Sequence, residues 1–97
     1  MKISELTVGM KRVNVQAKIL EISQPREVMG KFSEKVNRVA TAVVSDESGK
    51  INLSLWNQQI DMVAVGQTIS IENGYVTEFR GVKQLNVGRY GTLKVIK

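Results

Sequence analysis

The sequence predicts an all-β fold: a small five-stranded barrel with a short helix between its third and fourth strands. Three observations carry this. The stretch Ile51-Asn52-Leu53-Ser54-Leu55-Trp56 alternates strictly between apolar and polar positions, apart from Trp56 itself. Side chains switch sides along a strand with period 2, so Ile51, Leu53 and Leu55 share one face and Asn52, Ser54 and Trp56 the other. The first β-prone segment, Lys11 to Ser23, alternates cleanly and then slips phase by one residue. Between the third and fourth β-prone segments, Ile60, Val63 and Ala64 are spaced as on one face of a helix.

Ninety-seven residues form one domain with one core and are too few for two. Fourteen Lys+Arg against nine Asp+Glu give a net charge of +5, which favours a polyanionic partner. The absence of Cys and His removes disulfides, thiolate chemistry, the commonest general base and the commonest metal ligand. No apolar run approaches the ~20 residues of a membrane-spanning helix. The first ten residues carry Glu5 and no long apolar stretch, so no secretory signal is expected. A soluble cytoplasmic protein that does not engage a membrane is the resulting expectation.

In chain order, residues 1–10 predict a helical turn ending at Gly9, with Ile3, Leu6 and Met10 packing inward. In the first strand Val13, Val15, Ala17 and Ile19 oppose Asn14, Gln16 and Lys18; then Leu20 and Ile22 are apolar and Glu21 polar. One extra residue moves later side chains to the other face, the bend or bulge that a curved barrel needs. Gln24 to Lys35 has no period, contains Pro25 and Gly30, and reads as a long loop or irregular hairpin tip carrying Arg26, Lys31 and Lys35.

Val36 to Ser45 is apolar on both faces and predicts a central second strand. Asp46 to Lys50 is a hairpin turn, with Gly49 expected to supply a positive φ and the adjacent acids expected to be solvated. Asn57 to Gly66 holds the short helix. Thr68 to Asn73 is the fourth strand, Asn73-Gly74 permits a turn or bulge, and Tyr75 to Thr77 resumes β character. After the Phe79-Arg80-Gly81 turn, Val82 to Gly88 predicts a fifth strand with Leu85 and Val87 inward and Gln84 and Asn86 outward. Arg89 to Gly91 turns again, and Leu93, Val95 and Ile96 close the domain. One domain thus spans residues 1–97: about 1–10 a helical turn, 11–88 the barrel core, 89–97 a closing segment. Five strands with a helix between the third and fourth is the order of an oligonucleotide-binding (OB) barrel; SH3-like barrels usually lack that helix.

Catalysis finds no support in these residues. No Ser-His or Cys-His pair can form, and Gly74, Gly81 and Gly88, spaced seven apart, resemble barrel turns more than a phosphate cradle. Asp46, Asp61, Glu72 and Glu78 follow no metal-ligand spacing, so no cofactor or metal is expected. Binding is better supported. Trp56 lies on a polar face, and Tyr75 and Phe79 flank a turn beside Arg80 and Lys83. Unpaired bases stack on aromatics while cations follow the backbone, each stack contributing ~1–3 kcal/mol. Strand phase places Trp56 outside; for Tyr75 and Phe79 it leaves core and ligand-facing positions open, because Gly74 can shift the register.

The block Asp46-Glu47-Ser48-Gly49-Lys50 through Trp56, together with Val65-Gly66-Gln67, Ile71-Glu72-Asn73-Gly74-Tyr75, Phe79-Arg80-Gly81 and Gln84 to Gly88, resembles the single-barrel single-stranded DNA-binding proteins of archaea. Their eukaryotic relatives in the DNA-damage sensor complex and the barrels of replication protein A are similar. The resemblance runs from about Leu6 to Gly91. It implies base stacking on Trp56, Tyr75 and Phe79, and a basic contact from Arg26 in the first hairpin loop. Some eukaryotic members carry a further aromatic at the position of Asn86, and some relatives continue into a Gly/Arg-rich, acidic-ended tail that recruits partner proteins; this sequence stops at Lys97.

The expectation is therefore a barrel that binds single-stranded DNA, and RNA as a second candidate, with little sequence preference, in replication, recombination and repair, associated with the nucleoid. Trp56, Tyr75 and Phe79 are the expected stacking residues. Arg26, Lys31, Arg38, Arg80 and Lys83 are the expected phosphate contacts, and Gln84 and Asn86 the expected hydrogen-bonding partners of bases or sugars. The rival readings are an adaptor barrel that holds a repair or replication protein on the same face, and a structured-RNA-binding barrel.

Overall fold

The slip of phase in the first strand becomes the main bend of the barrel. The computed structural model describes residues 1–29, 36–87 and 91–96. In it β1 (Lys11–Ile22) buries Val13, Val15, Ala17 and Ile19 in strict alternation. Its register with β3 (Val36–Asp46) jumps where Ile19 faces Val44 and Glu21 faces Val43. Leu20 is the extra residue, and the bulge lets one strand serve two parts of the sheet. The first half of β1 pairs with β5 (Thr68–Phe79), the second half with β3.

The central position expected for the second strand is observed: β3 lies between β1 and β4 (Gly49–Trp56). The β4 strand then pairs in parallel with β6 (Val82–Asn86), β6 pairs with β5, and β5 returns to β1, closing a five-stranded barrel. Inside lie Leu53, Leu55, Ile69, Ile71 and Leu85, all fully buried. Each such side chain contributes roughly 1.5–3 kcal/mol relative to exposure, which is ample reason for the alternation to fix which face turns inward. The helix α1 (Gln58–Met62) sits between β4 and β5 and buries Ile60, with Val63 just beyond it.

Local expectations are refined. Of the two readings of this stretch, long loop or irregular hairpin tip, the hairpin is found: Arg26–Met29 is a strand, β2, paired with Val36 to Val39 of β3. Gly49 does not take positive φ, and neither do Glu47 and Ser48. The two-residue loop is instead held by Asp46, whose carboxylate accepts hydrogen bonds from the Ser48 amide (2.7 Å), the Ser48 hydroxyl (2.5 Å), the Gly49 amide (3.1 Å) and the Ile3 amide (2.9 Å). Asp46 is thus a structural turn residue rather than a solvated one, and it pins the N-terminal 3-10 turn (Ile3–Glu5) to the hairpin. That turn also ends earlier than Gly9. In β7 (Thr92–Val95), which adds to the edge of β5, only Leu93 is buried, while Val95 and Ile96 are exposed.

A second bulge decides the orientation of the later aromatics. Val15 faces Ile71 and Val13 faces Gly74, so β5 carries one residue more than β1 across this interval. Asn73 takes φ +57°, the left-handed region that Asn tolerates better than most residues, and its amide donates to Asn14 Oδ1 (2.9 Å). Ile69 and Ile71 are buried before the bulge, Gly74 and Val76 after it. Tyr75, Thr77 and Phe79 consequently lie outside.

Candidate functional site

The outer face of β4 is where the side chains gather. Trp56 is 40% exposed. It stands directly opposite Val39 of β3, which stands opposite Arg26 of β2, so the three form one row across three strands. Val39, the middle member of this row, is buried yet lies outside the barrel's core cluster. The next row carries Thr41, Ser54, Asn86 and Tyr75, and a third carries Val43, Asn52, Gln84 and Thr77.

A groove of about 190 Å³ runs over these rows, lined by Arg26, Val39, Thr41, Ser54, Trp56, Phe79 and Gln84, among others. It is small beside the ~300–1,000 Å³ of sites that enclose a ligand. Its shape suits a platform on which a flat group rests. Among the described residues no carboxylate lines it. Phe79 is 51% exposed and carries the Arg80 guanidinium 5.2 Å from its ring centre, a cation–π geometry. Phe79 and Val82 face each other across a two-residue turn in which Arg80 (φ +53°) and Gly81 (φ +78°) are both left-handed.

The floor is polar and ordered. Asn86 is only 8% exposed although its position faces outward. Its Nδ2 donates to Thr77 Oγ1 (3.0 Å) and to the Gln84 carbonyl (3.3 Å), which leaves Oδ1 as the acceptor side of the amide. The Ser54 hydroxyl donates to Gln84 Oε1 (3.4 Å). Gly74 makes this floor possible: a Cβ built there would lie 2.8 Å from the Asn86 carbonyl oxygen and 3.1 Å from Ile71 Cγ2.

The residues expected at the site are divided by the structure. Trp56, Phe79, Arg26 and Gln84 line one groove, Asn86 lies next to it, paired with the lining residue Ser54 and bonded to the Gln84 carbonyl, and Arg80 covers Phe79. Tyr75, 39% exposed, is on the same face of β5 and opposite Asn86, but outside the lining of that groove. Arg38 is elsewhere: its guanidinium pairs with Asp61 of α1 at 2.8 Å. Lys83 is also elsewhere, since its position alternates with Gln84 and its Nζ donates to the Leu6 carbonyl (3.0 Å). Lys31 lies outside the described residues. One cation was overlooked in the sequence: Lys50 shares the phase of Asn52, Ser54 and Trp56, and the alternation alone was enough to place it on their face.

Among the described residues no three acidic side chains converge to hold a metal ion, and no helix is long and apolar enough to cross a membrane. A wider concavity of about 660 Å³ lies away from the aromatics, lined by the acids Asp46, Glu47 and Glu72 together with Lys2 and the N-terminal Met1.

Comparison with known proteins agrees with the geometry. Residues 2–95 match the family described as single-stranded DNA binding protein Ssb-like, OB fold. The chain is 37% identical over 87 residues to the single-stranded DNA binding protein Ssb of Saccharolobus solfataricus, covering 90% of this chain and 57% of that protein. The chain thus spans little more than half the length of this relative. Among solved structures, the OB domain of a Thermoplasma acidophilum protein superimposes with a TM-score of 0.84 at 22% identity, covering 100% of this chain and 86% of that one. A replication factor A related protein from Methanobacterium thermoautotrophicum gives 0.81 at 22% identity, covering 100% and 90%. At such identity these two likenesses establish the fold.

Proposed function

Because the chain belongs to the Ssb-like family of single-stranded DNA-binding proteins with the OB fold, we propose that it holds single-stranded DNA across the outer face of β4, β5 and β6, with little sequence preference. The observation that carries this reading is the open groove shared by Trp56, Phe79 and Arg26, with no carboxylate among the described residues that line it. Bases stack on Trp56 and Phe79, and a further base on Tyr75 across the Asn86 floor. Each stack contributes ~1–3 kcal/mol and accepts any base, because every base has a π-face. Arg26 and Arg80 neutralise phosphates at either side, while Gln84 and the Asn86 acceptor meet base edges or sugars. Arg38 is held by Asp61 and contributes little to this contact. In the cell such a protein covers exposed single strands during replication, recombination and repair, at the nucleoid.

Titration of Trp56 fluorescence with oligo-dT and with duplex, at two salt concentrations, tests the proposal. Quenching by the single strand but not the duplex is expected, with log K falling against log salt at about −0.7 per neutralised phosphate. Absence of quenching, together with co-purification of a protein partner, would support an adaptor role on the same face. Competition by tRNA stronger than by oligo-dT would point to RNA.

A further inference from the structure

We propose that the DNA strand continues beyond Phe79 into a second, basic subsite at the end of the barrel, where Lys50 and Lys83 hold a phosphodiester. The proposal rests on the reading of the Trp56 face given above and extends it to a place that the aromatic groove does not reach.

Lys50 stands on the same face of β4 as Asn52, Ser54 and Trp56. It lies six positions before Trp56 along β4, roughly 20 Å at ~3.3 Å per residue. There the outer face turns over the barrel's end and opens into a cleft of about 410 Å³, lined by Ser4, Lys50, Asn52, Gly81, Val82 and Lys83, with Ile3 behind them. Among the described residues no carboxylate lines this cleft. Neither lysine has an acidic partner within 4.0 Å among the described residues, although Glu78 faces Lys83 in the β5–β6 register. By contrast, Lys2 and Arg38 are both ion-paired, with Glu47 and Asp61.

Lys83 is also preorganised. One of its three N–H donors is anchored on the Leu6 carbonyl at 3.0 Å, so the ammonium is held at the cleft with two donors remaining. A fixed cation loses less conformational freedom on meeting a phosphate than a free lysine does. The surface between the two subsites is continuous. Asn52 lines the cleft and stands opposite Gln84, which lines the aromatic groove. A strand that passes over Ser54 and Gln84 therefore reaches Asn52 and then the two lysines along two concavities with no acid among their described lining residues; Glu78 neighbours Lys83 without an ion pair. Arg26 occupies the other end of the track, beside Trp56.

The test compares oligo-dT of four and of eight nucleotides, by Trp56 fluorescence, across a salt series in the parent, Lys50→Gln and Lys50→Gln/Lys83→Gln. In the parent the longer strand is expected to show a steeper salt slope than the shorter. Lys50→Gln, a change at an exposed position that threatens no fold, lowers the slope for the longer strand by about 0.7, and the double variant by about 1.4. The four-nucleotide strand shows much smaller changes. Unchanged slopes on the longer strand, or equal loss on both lengths, overturn the subsite while leaving the Trp56 face intact. Failure of the parent to quench with either length overturns that face and the subsite together.

Discussion

The Arg80 guanidinium lies over the Phe79 ring, 5.2 Å from its centre, at the tip of a turn that Arg80 enters with a left-handed backbone. For a side chain other than Gly, Asn or Asp that conformation costs roughly 1–2 kcal/mol. An exposed cation–π contact returns ~0.5–1 kcal/mol. The turn is thus held at a net cost to stability, which argues that Arg80 is placed for binding. Arg80→Asn should raise stability by up to about 1 kcal/mol in urea unfolding and weaken oligo-dT binding by severalfold. A variant less stable than the parent would show that strain is not what Arg80 contributes.

Trp56→Ala should cost ~1–3 kcal/mol of binding, a loss of about tenfold to a hundredfold, read by anisotropy of a labelled oligo-dT because the intrinsic fluorophore is gone. The ring is 40% exposed and lies outside the barrel core, so the melting temperature should move little. Trp56→Phe should retain most of the affinity, since the requirement is a flat face.

Gly74→Ala places a methyl 2.8 Å from a backbone carbonyl that cannot swing aside. Overpacking of this kind costs about 1–3 kcal/mol. The same shift displaces Asn86, so the variant should lose stability in urea and, where still folded, bind more weakly than Trp56-face geometry alone explains.

The Asp46 carboxyl is held down at about pKa 2 against an ordinary 3.8, first by the Ser48 hydroxyl, then by the amides of Ile3, Ser48 and Gly49 acting against partial burial. A carboxylate lowered on folding stabilises above its unfolded pKa and loses that contribution as pH falls toward the folded value. Stability should therefore decline between about pH 4 and pH 2. Asp46→Ala, which forfeits charged hydrogen bonds at a half-buried turn, should cost about 1–2 kcal/mol at pH 7 and flatten that decline.

Much of this architecture was legible in the chain. The alternation of Ile51 to Trp56 is a statement about which face meets the core, and one slip would have buried a polar row. The slip at Leu20 is visible for the same reason. Tyr75 was not legible, because its face depends on whether Asn73 adds a residue to β5, and no local pattern announces that. Arg26–Met29 escaped notice because four residues between Pro25 and Gly30 are too few to show a period. The destinations of Arg38 and Lys83 were hidden too: long cationic side chains reach partners such as Asp61 and the Leu6 carbonyl that only the folded chain brings near. Lys50 belongs both to the Asp46–Lys50 turn signal and to the phase of Trp56, and the second membership places it on the outer face.

The parallel pairing of β4 with β6 joins the barrel through three residue pairs, Asn52 with Gln84, Leu53 with Leu85 and Ser54 with Asn86, where β3 and β4 share eight. So short a ladder is the natural place for the barrel to breathe, and amide hydrogens of β6 should exchange with solvent sooner than those of β3. If DNA binds as proposed, resting on Trp56 at one side and Phe79 at the other, it would lie across that seam and clasp it shut, and saturating oligo-dT should slow β6 exchange by the factor that its concentration over Kd dictates.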